Sequence, residues 1–339
     1  MPKIKALVLF SGGLDSLLAV KTLELQNIEV TGLCFASNFF SCDSAKKSAN
    51  ENNINLRVVD IGEEILDLVK NPLNGYGKNL NPCLDCHSLM IKKASEIMRA
   101  EKYDIIATGE VLGQRPFSQN KGALERVKKI SGVDVLRPLS AKLLPETEVE
   151  KQRLVNRGRL LNINGRTRDR QMELAEKYKL IYPSPAGGCL LTDLGFSERM
   201  IKMLSYWPDC QTDDAELLKH GRIFWANVKE NSSKGKVLIV VARDLKEDIE
   251  LEKLAAKGDI VVELKEENGP ITLIRSRGAV KPEDKIFEIE VPERLEINHL
   301  DSSKVYTSTE LMEVVLLVTG YYATKARGKK IKIKNTLIK

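Results

Sequence analysis

A chain of 339 residues is long enough to bury a substantial core and predicts two domains. Its 29% charged and 5% aromatic residues are ordinary for a soluble enzyme. No apolar run reaches the roughly 18 residues that span a bilayer, and a strand pattern begins almost at once. We therefore expect neither a membrane span nor a signal peptide, and a cytoplasmic location. Six cysteines in such an enzyme favour metal binding or catalysis over a disulfide framework.

The net charge of +6 is concentrated at the carboxyl end of the chain. Residues 325–339 contain no acidic residue. Their basic residues are Lys325, Arg327, Lys329, Lys330, Lys332, Lys334 and Lys339. This basic tail is either a solvated, frayed terminus or a contact for a phosphate backbone whose affinity falls with salt.

Strand and helix patterns alternate from the start to about residue 140. The predicted strands are 4–10, 29–35, 55–60 and 103–108, and the predicted helices are 16–26, 41–52, 63–70 and 86–99. Strands separated by helices predict an α/β fold with a doubly wound parallel sheet. In such sheets, ligands bind at the carboxyl ends of the strands. We assign residues 1–195 to this first domain.

A glycine turn joins the first strand to the first helix, where the chain reads Phe-Ser-Gly-Gly-Leu-Asp-Ser. Gly12 and Gly13 have no Cβ, so the backbone can turn sharply and its N–H groups can approach an anion. Ser11, Asp15 and Ser16 place hydroxyl groups and a carboxylate at the helix N-terminus, where unpaired N–H groups favour phosphate. A serine-capped strand-to-helix connection is the simpler alternative.

The run Ser-Gly-Gly-x-Asp-Ser resembles the PP-loop of the N-type ATP pyrophosphatases. It differs from the GxxxxGK[ST] loop because no lysine follows the glycines. The resemblance implies that the turn holds the β,γ-pyrophosphate of ATP, with magnesium compensating the charge. It also implies adenylation of a substrate oxygen and release of pyrophosphate. Asp15 would hold the magnesium or orient the phosphates.

The fourth predicted strand ends in the run Thr-Gly-Glu-Val-Leu-Gly-Gln, which begins at Thr108. Alone, this is a strand-end turn that needs a glycine. Together with the PP-loop, it resembles the tRNA 4-thiouridine synthetases, which implies that Thr108 and Gly109 line the ATP site. Leu-Arg-Pro-Leu, at residues 136–139, resembles a segment of those enzymes and of the 2-thiouridylases. Arg137 within it contacts phosphate or pairs with a carboxylate.

A CxxC pair lies in the run Asn-Pro-Cys-Leu-Asp-Cys-His, which enters a helix. Cys83 and Cys86 have the spacing of ligands for one metal or cluster, or of a redox pair, and alone they are ambiguous. His87 is expected to be a polar residue at a helix start. Of the preceding cysteines, Cys34 is expected in the core and Cys42 has no assigned role.

A third thiol, Cys189, follows two prolines and two glycines, in a loop that favours a ligand or a reactive thiol. Cys83, Cys86 and Cys189 resemble the three-cysteine set of cluster-dependent tRNA thiolases. The resemblance implies a 4Fe-4S cluster with one iron free to hold an exogenous sulfide. The alternative is a persulfide on one cysteine that a second cysteine resolves as a disulfide.

A compact basic cluster, Arg166-Thr-Arg-Asp-Arg170, precedes the third thiol. It is either an exposed helix start or a surface along RNA. Many 4-thiouridine synthetases carry an RNA-binding part before the PP-loop, and some carry a rhodanese-like sulfur carrier. This sequence begins at the PP-loop strand, so we expect substrate recognition and sulfur supply to come from elsewhere.

Residues 196–324 have an α+β pattern and form the second predicted domain. The predicted strands are 236–242, 259–264 and 271–274, and the predicted helices are 197–204, 248–256 and 310–320. The order of residues 221–225, 243–244 and 268–270 weakly resembles the RNA-binding NFACT-R module. Phe224 and Trp225, with the arginines Arg222, Arg243, Arg275 and Arg277, would then stack on bases and contact phosphates. Otherwise Trp225 is core and the arginines are solvated.

The favoured function is ATP-dependent thiolation of a tRNA uridine, with 4-thiouridine at position 8 as the favoured product. The sulfur donor would be sulfide, or a desulfurase or sulfur carrier. The alternatives are a persulfide-based 2-thiouridylase, a PP-loop ligase or sulfur-transfer enzyme for a small molecule, and an RNA-binding protein with a structural ATP site. Salt-sensitive binding to tRNA argues against a small-molecule substrate.

Overall fold

A computed structural model describes residues 3–116, 118–184, 188–230, 233–280, 284–295 and 304–339. The chain divides into two compact units, Met1–Ser197 and Glu198–Lys339. Among the helices in these described ranges, none has both the length and the apolar character needed to cross a lipid bilayer.

The first unit is built on a four-stranded parallel sheet in the order β3-β2-β1-β4. Its strands are β1 (Lys5–Leu9), β2 (Glu29–Ala36), β3 (Asn55–Asp60) and β4 (Ile105–Thr108). The helices are α1 (Leu14–Glu24), α2 (Asp43–Glu51), α3 (Gly62–Lys70), α4 (Cys83–Glu101), α5 (Lys121–Ser131), α6 (Glu148–Lys151) and α7 (Asp169–Lys177), and α8 (Leu194–Tyr206) follows. Parallel strands connected through helices confirm the predicted α/β fold.

Strand β1 lies inside the sheet because its residues are apolar on both faces. Ala6, Leu7 and Val8 are fully buried, and β1 pairs with β2 on one side and with β4 on the other. Since all these strands are parallel, their carboxyl ends meet at one edge of the sheet. The glycine turn and Thr108 both lie at that edge.

Helix α5 was not predicted. The side chain of Asn120 caps it by accepting a hydrogen bond from the Ala123 N–H at 2.8 Å, and Gly132 ends it with a φ of +69°. Few of its residues are buried, and these are Ala123, Leu124 and Val127. Together with Ile130 these residues recur at the spacing of one helix face, so the helix was overlooked although both its apolar period and its cap residues were present in the sequence.

The second unit is a mixed sheet in the order β10-β5-β6-β8-β7-β11-β9. Its strands are β5 (Arg222–Glu230), β6 (Ser233–Val241), β7 (Ile260–Leu264), β8 (Thr272–Arg275), β9 (Lys285–Glu290), β10 (Val305–Tyr306) and β11 (Lys330–Leu337). Its helices are α9 (Thr212–Leu217), α10 (Leu245–Leu254) and α11 (Ser308–Tyr322). Most pairs are antiparallel, and β10 pairs with β5 in parallel. This confirms the expected second α+β domain.

The basic carboxyl-terminal segment is a strand rather than a frayed tail. Strand β11 pairs with β7 and β9, and its Ile331 and Ile333 are buried. The lysines alternate with these isoleucines, as they do on the two faces of a strand. The Lys332 Nζ lies 3.0 Å from Glu266 Oε1. Of the two alternatives for this segment, the frayed terminus was wrong because it weighed the charge and overlooked this period of two, and the phosphate-backbone contact stays a prediction.

Trp225 is core, so the predicted stacking of this side chain on RNA bases is wrong. Its ring is buried and packs edge-on against Tyr206 and Trp207. Arg275 is also buried, and its guanidinium nitrogen Nη2 lies 2.7 Å from Asp259 Oδ2. The remaining arginines have partners too: Glu247 for Arg243, Asp209 and Asp214 for Arg277, and the Tyr322 ring for Arg222. RNA binding by this unit stays a prediction, and Trp225 is no longer among the side chains that could stack on bases.

Cys34 and Cys42 form a disulfide, which contradicts the expectation that the cysteines serve only metal binding or catalysis. The bond joins β2 to the N-cap residue of α2, and both cysteines are buried. Cys34 therefore lies in the core as expected, but its sulfur is bonded. Two cysteines eight residues apart carry no sequence signal for this pairing, because only the fold brings them together.

Candidate active site

The glycine turn is packed too closely for any side chain at its first glycine. Gly12 has a φ of +79°, and a Cβ there would lie 2.5 Å from the Ser44 carbonyl oxygen at the start of α2. Both the backbone conformation and the available space therefore require glycine. The turn is held in shape by α2 before any ligand binds.

Helix α1 begins directly after the turn, and its N-terminus has no side-chain cap. Gly13 is the N-cap residue in an extended conformation. The Ser16 hydroxyl donates to the Gly13 carbonyl oxygen at 2.8 Å, and Ser11 Oγ lies 3.5 Å from Ser16 Oγ. Without a side-chain acceptor, the first N–H groups of α1 are available to an anion, which is the arrangement that phosphate prefers.

The end of β4 lies against this first turn of α1. A Cβ on Gly109 would lie 2.6 Å from the Ser16 backbone nitrogen, so glycine is required there. Thr108 is buried, and its hydroxyl donates to Glu110 Oε2 at 3.0 Å. The structure thus brings together the two motifs that the sequence analysis assigned to one ATP site.

Asp15 has one oxygen in a hydrogen bond and one without a partner. Gln114 Nε2 donates to Asp15 Oδ2 at 2.9 Å. Asp15 Oδ1 and Gln114 Oε1 are both buried and have no hydrogen-bond partner among the described residues. Carboxylate and amide oxygens suit a magnesium ion or its bound waters. Gln114 was part of the predicted motif, but its link to Asp15 came only from the structure.

Glu110 is the centre of a buried polar network that sequence reasoning missed. Its carboxylate accepts from Arg137 Nε at 2.9 Å and from Thr108, and it lies 3.4 Å from His87 Nδ1. Burial alone would raise the pKa of Glu110, but His87, Arg137 and Thr108 outweigh it and lower that pKa to about 2. Arg137 therefore pairs with a carboxylate, one of its two predicted roles. His87 links the network to α4.

Cys83, Cys86 and Cys189 are reduced and close enough to influence one another. Cys83 is the first residue of α4, and Cys86 follows one turn later. Burial above all, with smaller contributions from Cys189, Cys83 and Asp85, raises the pKa of Cys86 to about 12. Burial also raises the pKa of Cys189 to about 11. The structure therefore places all three predicted thiols in one region.

Hydrogen bonds from two neighbouring loops hold the Cys189 segment. The side chain of Asn79, just before the CxxC pair, donates to the Thr192 carbonyl oxygen at 2.9 Å. The Leu190 N–H donates to the Phe39 carbonyl oxygen at 3.0 Å. Phe39 lies between the disulfide-bonded Cys34 and Cys42. These bonds fix the segment that carries Cys189 beside the CxxC pair.

Three thiols of this kind have the ligand chemistry of an iron–sulfur cluster, since thiolate sulfur is the ligand that such clusters take. In the part of the chain that the structure describes, no group of three or more His, Cys, Asp or Glu side chains is placed to hold a metal ion. The donors therefore fit a cluster chemically, while their positions do not define a metal centre.

Residues 3–144 match the family model described as "ThiI: Thiamine biosynthesis protein (ThiI)". This segment is similar to the ThiI family, and its parallel α/β fold is the predicted PP-loop fold. It includes the glycine turn, Thr108 and Gly109, and the CxxC pair, and it covers less than half of the chain. The predicted resemblance to PP-loop enzymes of tRNA thiolation is thereby confirmed for the ThiI segment. No curated protein matches the chain.

Solved structures similar to this chain are distant. One is described as a predicted subunit of tRNA methyltransferase from Methanocaldococcus jannaschii, with 18% identity, a TM-score of 0.30, and 40% of this chain and 69% of that chain covered. Another is a 4-thiouridine synthetase–RNA complex with bound ATP, with 20% identity, a TM-score of 0.34, and 59% and 51% covered. The match thus spans about half the length of that synthetase.

Proposed function

We propose that the protein thiolates a uridine of tRNA in an ATP-dependent reaction, with 4-thiouridine as the product. The proposal is supported by one contact above all. Glu110 follows Thr108 and Gly109 at the nucleotide end of the ThiI-family segment, and it lies 3.4 Å from His87, which directly follows Cys86. A candidate site for activating the substrate is thereby connected to a candidate site for holding sulfur.

In the first step, the uridine O4 attacks the α-phosphorus of ATP and pyrophosphate leaves. The N–H groups of the first turn of α1 would bind the β- and γ-phosphates, and Gly12 and Gly109 leave the space that this approach needs. Asp15 and Gln114 would hold the magnesium that accompanies ATP. Catalysis of this step is positioning and charge stabilisation, since no side chain needs to bond covalently to the substrate.

In the second step, sulfur replaces oxygen at the adenylated carbon and AMP leaves. Without a cluster, the terminal sulfur of a cysteine persulfide attacks the carbon. A second cysteine then attacks the first cysteine's sulfur, which releases the thiolated uridine and forms a disulfide that a cellular thiol must reduce. In the other form of the proposal, a 4Fe-4S cluster would be held by Cys83, Cys86 and Cys189. Such a cluster would supply an iron without a protein ligand, at which a sulfide could be held.

The test is the dependence of ATP cleavage on RNA. The full-length protein is incubated with ATP and magnesium, with and without unmodified tRNA, and the nucleotide products are separated. We expect AMP and pyrophosphate in the presence of tRNA, and a loss of at least tenfold in Asp15→Asn, because a charged oxygen is removed beside the phosphates. ADP as the product, or cleavage that tRNA does not stimulate, would contradict the proposal. The second result would favour a small-molecule substrate.

A further inference from the structure

The glycine turn brings no positive charge to a bound nucleotide. Residues 11–16 contain the acidic Asp15 and no lysine or arginine. The triphosphate of ATP carries several negative charges, and magnesium compensates only two of them. Phosphate is bound most strongly by charge-assisted hydrogen bonds, above all from arginine. Cationic side chains must therefore come from another segment of the chain.

Two segments run side by side next to the glycine turn. Leu112 and Asn164 form a parallel bridge, and the Gly165 N–H donates to the Leu112 carbonyl oxygen at 2.8 Å. Gly113 and Gly165 then turn with φ values of +79° and +83°. A Cβ on Gly113 would lie 3.4 Å from the Gly165 nitrogen. The two backbones are thus in contact where they leave the bridge.

This register places an arginine next to the nucleotide end. Because the bridge is parallel, Gln114 and Arg166 are corresponding residues, each directly after its glycine. Gln114 donates to Asp15 at 2.9 Å. Ile163 and Leu14, the first residue of α1, also belong to the same buried cluster. The segment that leads into Arg166 therefore packs against the start of α1.

Two further arginines flank this position. Arg115 follows Gln114, and its positive charge acts on the Cys83 thiol, which places it on the thiol side of the site. Arg168 is the N-cap residue of α7, and its Nε is buried without a hydrogen-bond partner among the described residues. Within the described ranges, Arg115, Arg166 and Arg168 form no ion pair with an acidic side chain. Arg137, by contrast, is paired with Glu110.

We propose that Arg115, Arg166 and Arg168 form a phosphate-binding site beside the glycine turn. The inference rests on the proposed function, which supplies two sources of the same phosphate chemistry. One is the pyrophosphate part of ATP, and the other is the backbone of the RNA that would present its uridine between the nucleotide and the thiols. Both sources need cations in this place, and among the residues that the structure describes no acidic side chain pairs with any of the three arginines.

The experiment measures equilibrium binding of three probes to the full-length protein: ATP with magnesium, inorganic pyrophosphate, and an unmodified tRNA at several salt concentrations. The variants are Arg115→Gln, Arg166→Gln and the charge-retaining Arg166→Lys. The matched control is Arg126→Gln, which changes an exposed arginine on α5, outside the two segments that carry the three arginines. Loss of a charge-assisted hydrogen bond corresponds to about a tenfold weaker affinity or more.

Weaker binding of ATP and pyrophosphate, with tRNA binding unchanged, would assign the site to the nucleotide. Weaker tRNA binding, with the slope of log affinity against log salt reduced by about one per arginine and ATP binding unchanged, would assign it to the RNA backbone. In both cases Arg166→Lys should retain part of the affinity and Arg126→Gln should match the wild type. Unchanged affinity for every probe in a wild type that binds ATP would overturn this inference alone. A wild type that binds none of the probes would overturn the proposed function as well.

Discussion

A Cβ on Gly109 would lie 2.6 Å from the backbone nitrogen of Ser16, so the end of β4 and the first turn of α1 are in direct backbone contact. A side chain at residue 109 would have to push α1 away from the sheet. The two motifs that the sequence analysis assigned to the ATP site are therefore coupled by packing, and a change in one should disturb the other.

Gly109→Ala should weaken ATP binding by at least about tenfold and lower the free energy of unfolding by about 1–3 kcal/mol, as overpacking of a buried contact does. Calorimetric ATP titration and urea unfolding measure the two effects. Gly122→Ala is the matched control, because a Cβ there would lie 3.4 Å from the Asn120 side chain and the residue is in α5. That variant should keep its ATP affinity and gain up to about 1 kcal/mol. Equal ATP affinity in Gly109→Ala and wild type would contradict the packing argument.

Glu110→Gln should cost about 3–5 kcal/mol of unfolding free energy, because it leaves the charge of Arg137 buried without its partner. Glu148→Gln removes an exposed pair with Lys151 and should cost about 1 kcal/mol or less. Urea unfolding of both variants at pH 7 makes the comparison. Equal costs would show that the buried network contributes no more than a surface pair.

The same network predicts a pH dependence with a definite sign. The pKa of Glu110 is lowered to about 2 in the folded protein, so its ionised form stabilises the fold above the ordinary carboxyl pKa of about 4.5. That contribution should be lost progressively as the pH falls from about 4.5 toward 2. Wild type should therefore lose more unfolding free energy than Glu110→Gln between pH 7 and pH 3.5. Parallel losses in the two proteins would contradict the assigned pKa.

The three thiols predict the iron content of protein that is purified without oxygen. If they hold a 4Fe-4S cluster, wild type should contain about four irons and four acid-labile sulfides per chain, with a visible absorption band. Cys83→Ala, Cys86→Ala and Cys189→Ala should each lose them. Iron and sulfide analysis with the visible spectrum provides the measurement. An iron-free protein that retains thiolation activity would exclude the cluster and leave the persulfide mechanism.

In strand β11, alanine substitutions at two neighbouring residues should lower the free energy of unfolding by very different amounts. Ile333 is fully buried between β7 and β9, so Ile333→Ala should cost about 2–5 kcal/mol. Lys332 is half-exposed beside Glu266, so Lys332→Ala should change the unfolding free energy by about 0.5 kcal/mol. Urea unfolding of the full-length variants measures both. An Ile333→Ala variant that is as stable as wild type would contradict the strand and favour a free basic tail.

The sequence predicted the first unit well where the local pattern and the tertiary environment agree. Strand β3 lies at the edge of the sheet and has no buried residue, and it was still predicted with its observed bounds because its two valines lie between two helical patterns. The glycine turn was found because Gly12 has a backbone conformation and a close contact that only glycine allows. The sequence did not establish that Cys189 lies close to the CxxC pair, and the shared role of the three thiols stays a prediction.

The missed features depend on contacts between residues distant in sequence. Glu110 gave no sign that it would be buried, because its partners Arg137 and His87 lie more than twenty residues away on either side. The pairing of Cys34 with Cys42 needs the β2–α2 connection to be folded. In β11, the lysines made the apolar alternation look like a charged tail. Side-chain partners decided each case, and composition does not identify them.

The most direct test of the proposed function is the product itself. The full-length protein would be incubated without oxygen with unmodified tRNA, ATP, magnesium, a thiol reductant and a sulfur donor. The donor is sulfide in one series, and a cysteine desulfurase with free cysteine, which supplies persulfide sulfur, in the other. The nucleosides would be analysed by mass spectrometry alongside the AMP formed. We predict 4-thiouridine in an amount equal to the AMP, and at least tenfold less of both products with Asp15→Asn. AMP formed without any thiolated nucleoside, or thiolation that proceeds without ATP, would contradict the assignment of this protein as an ATP-dependent tRNA thiolation enzyme.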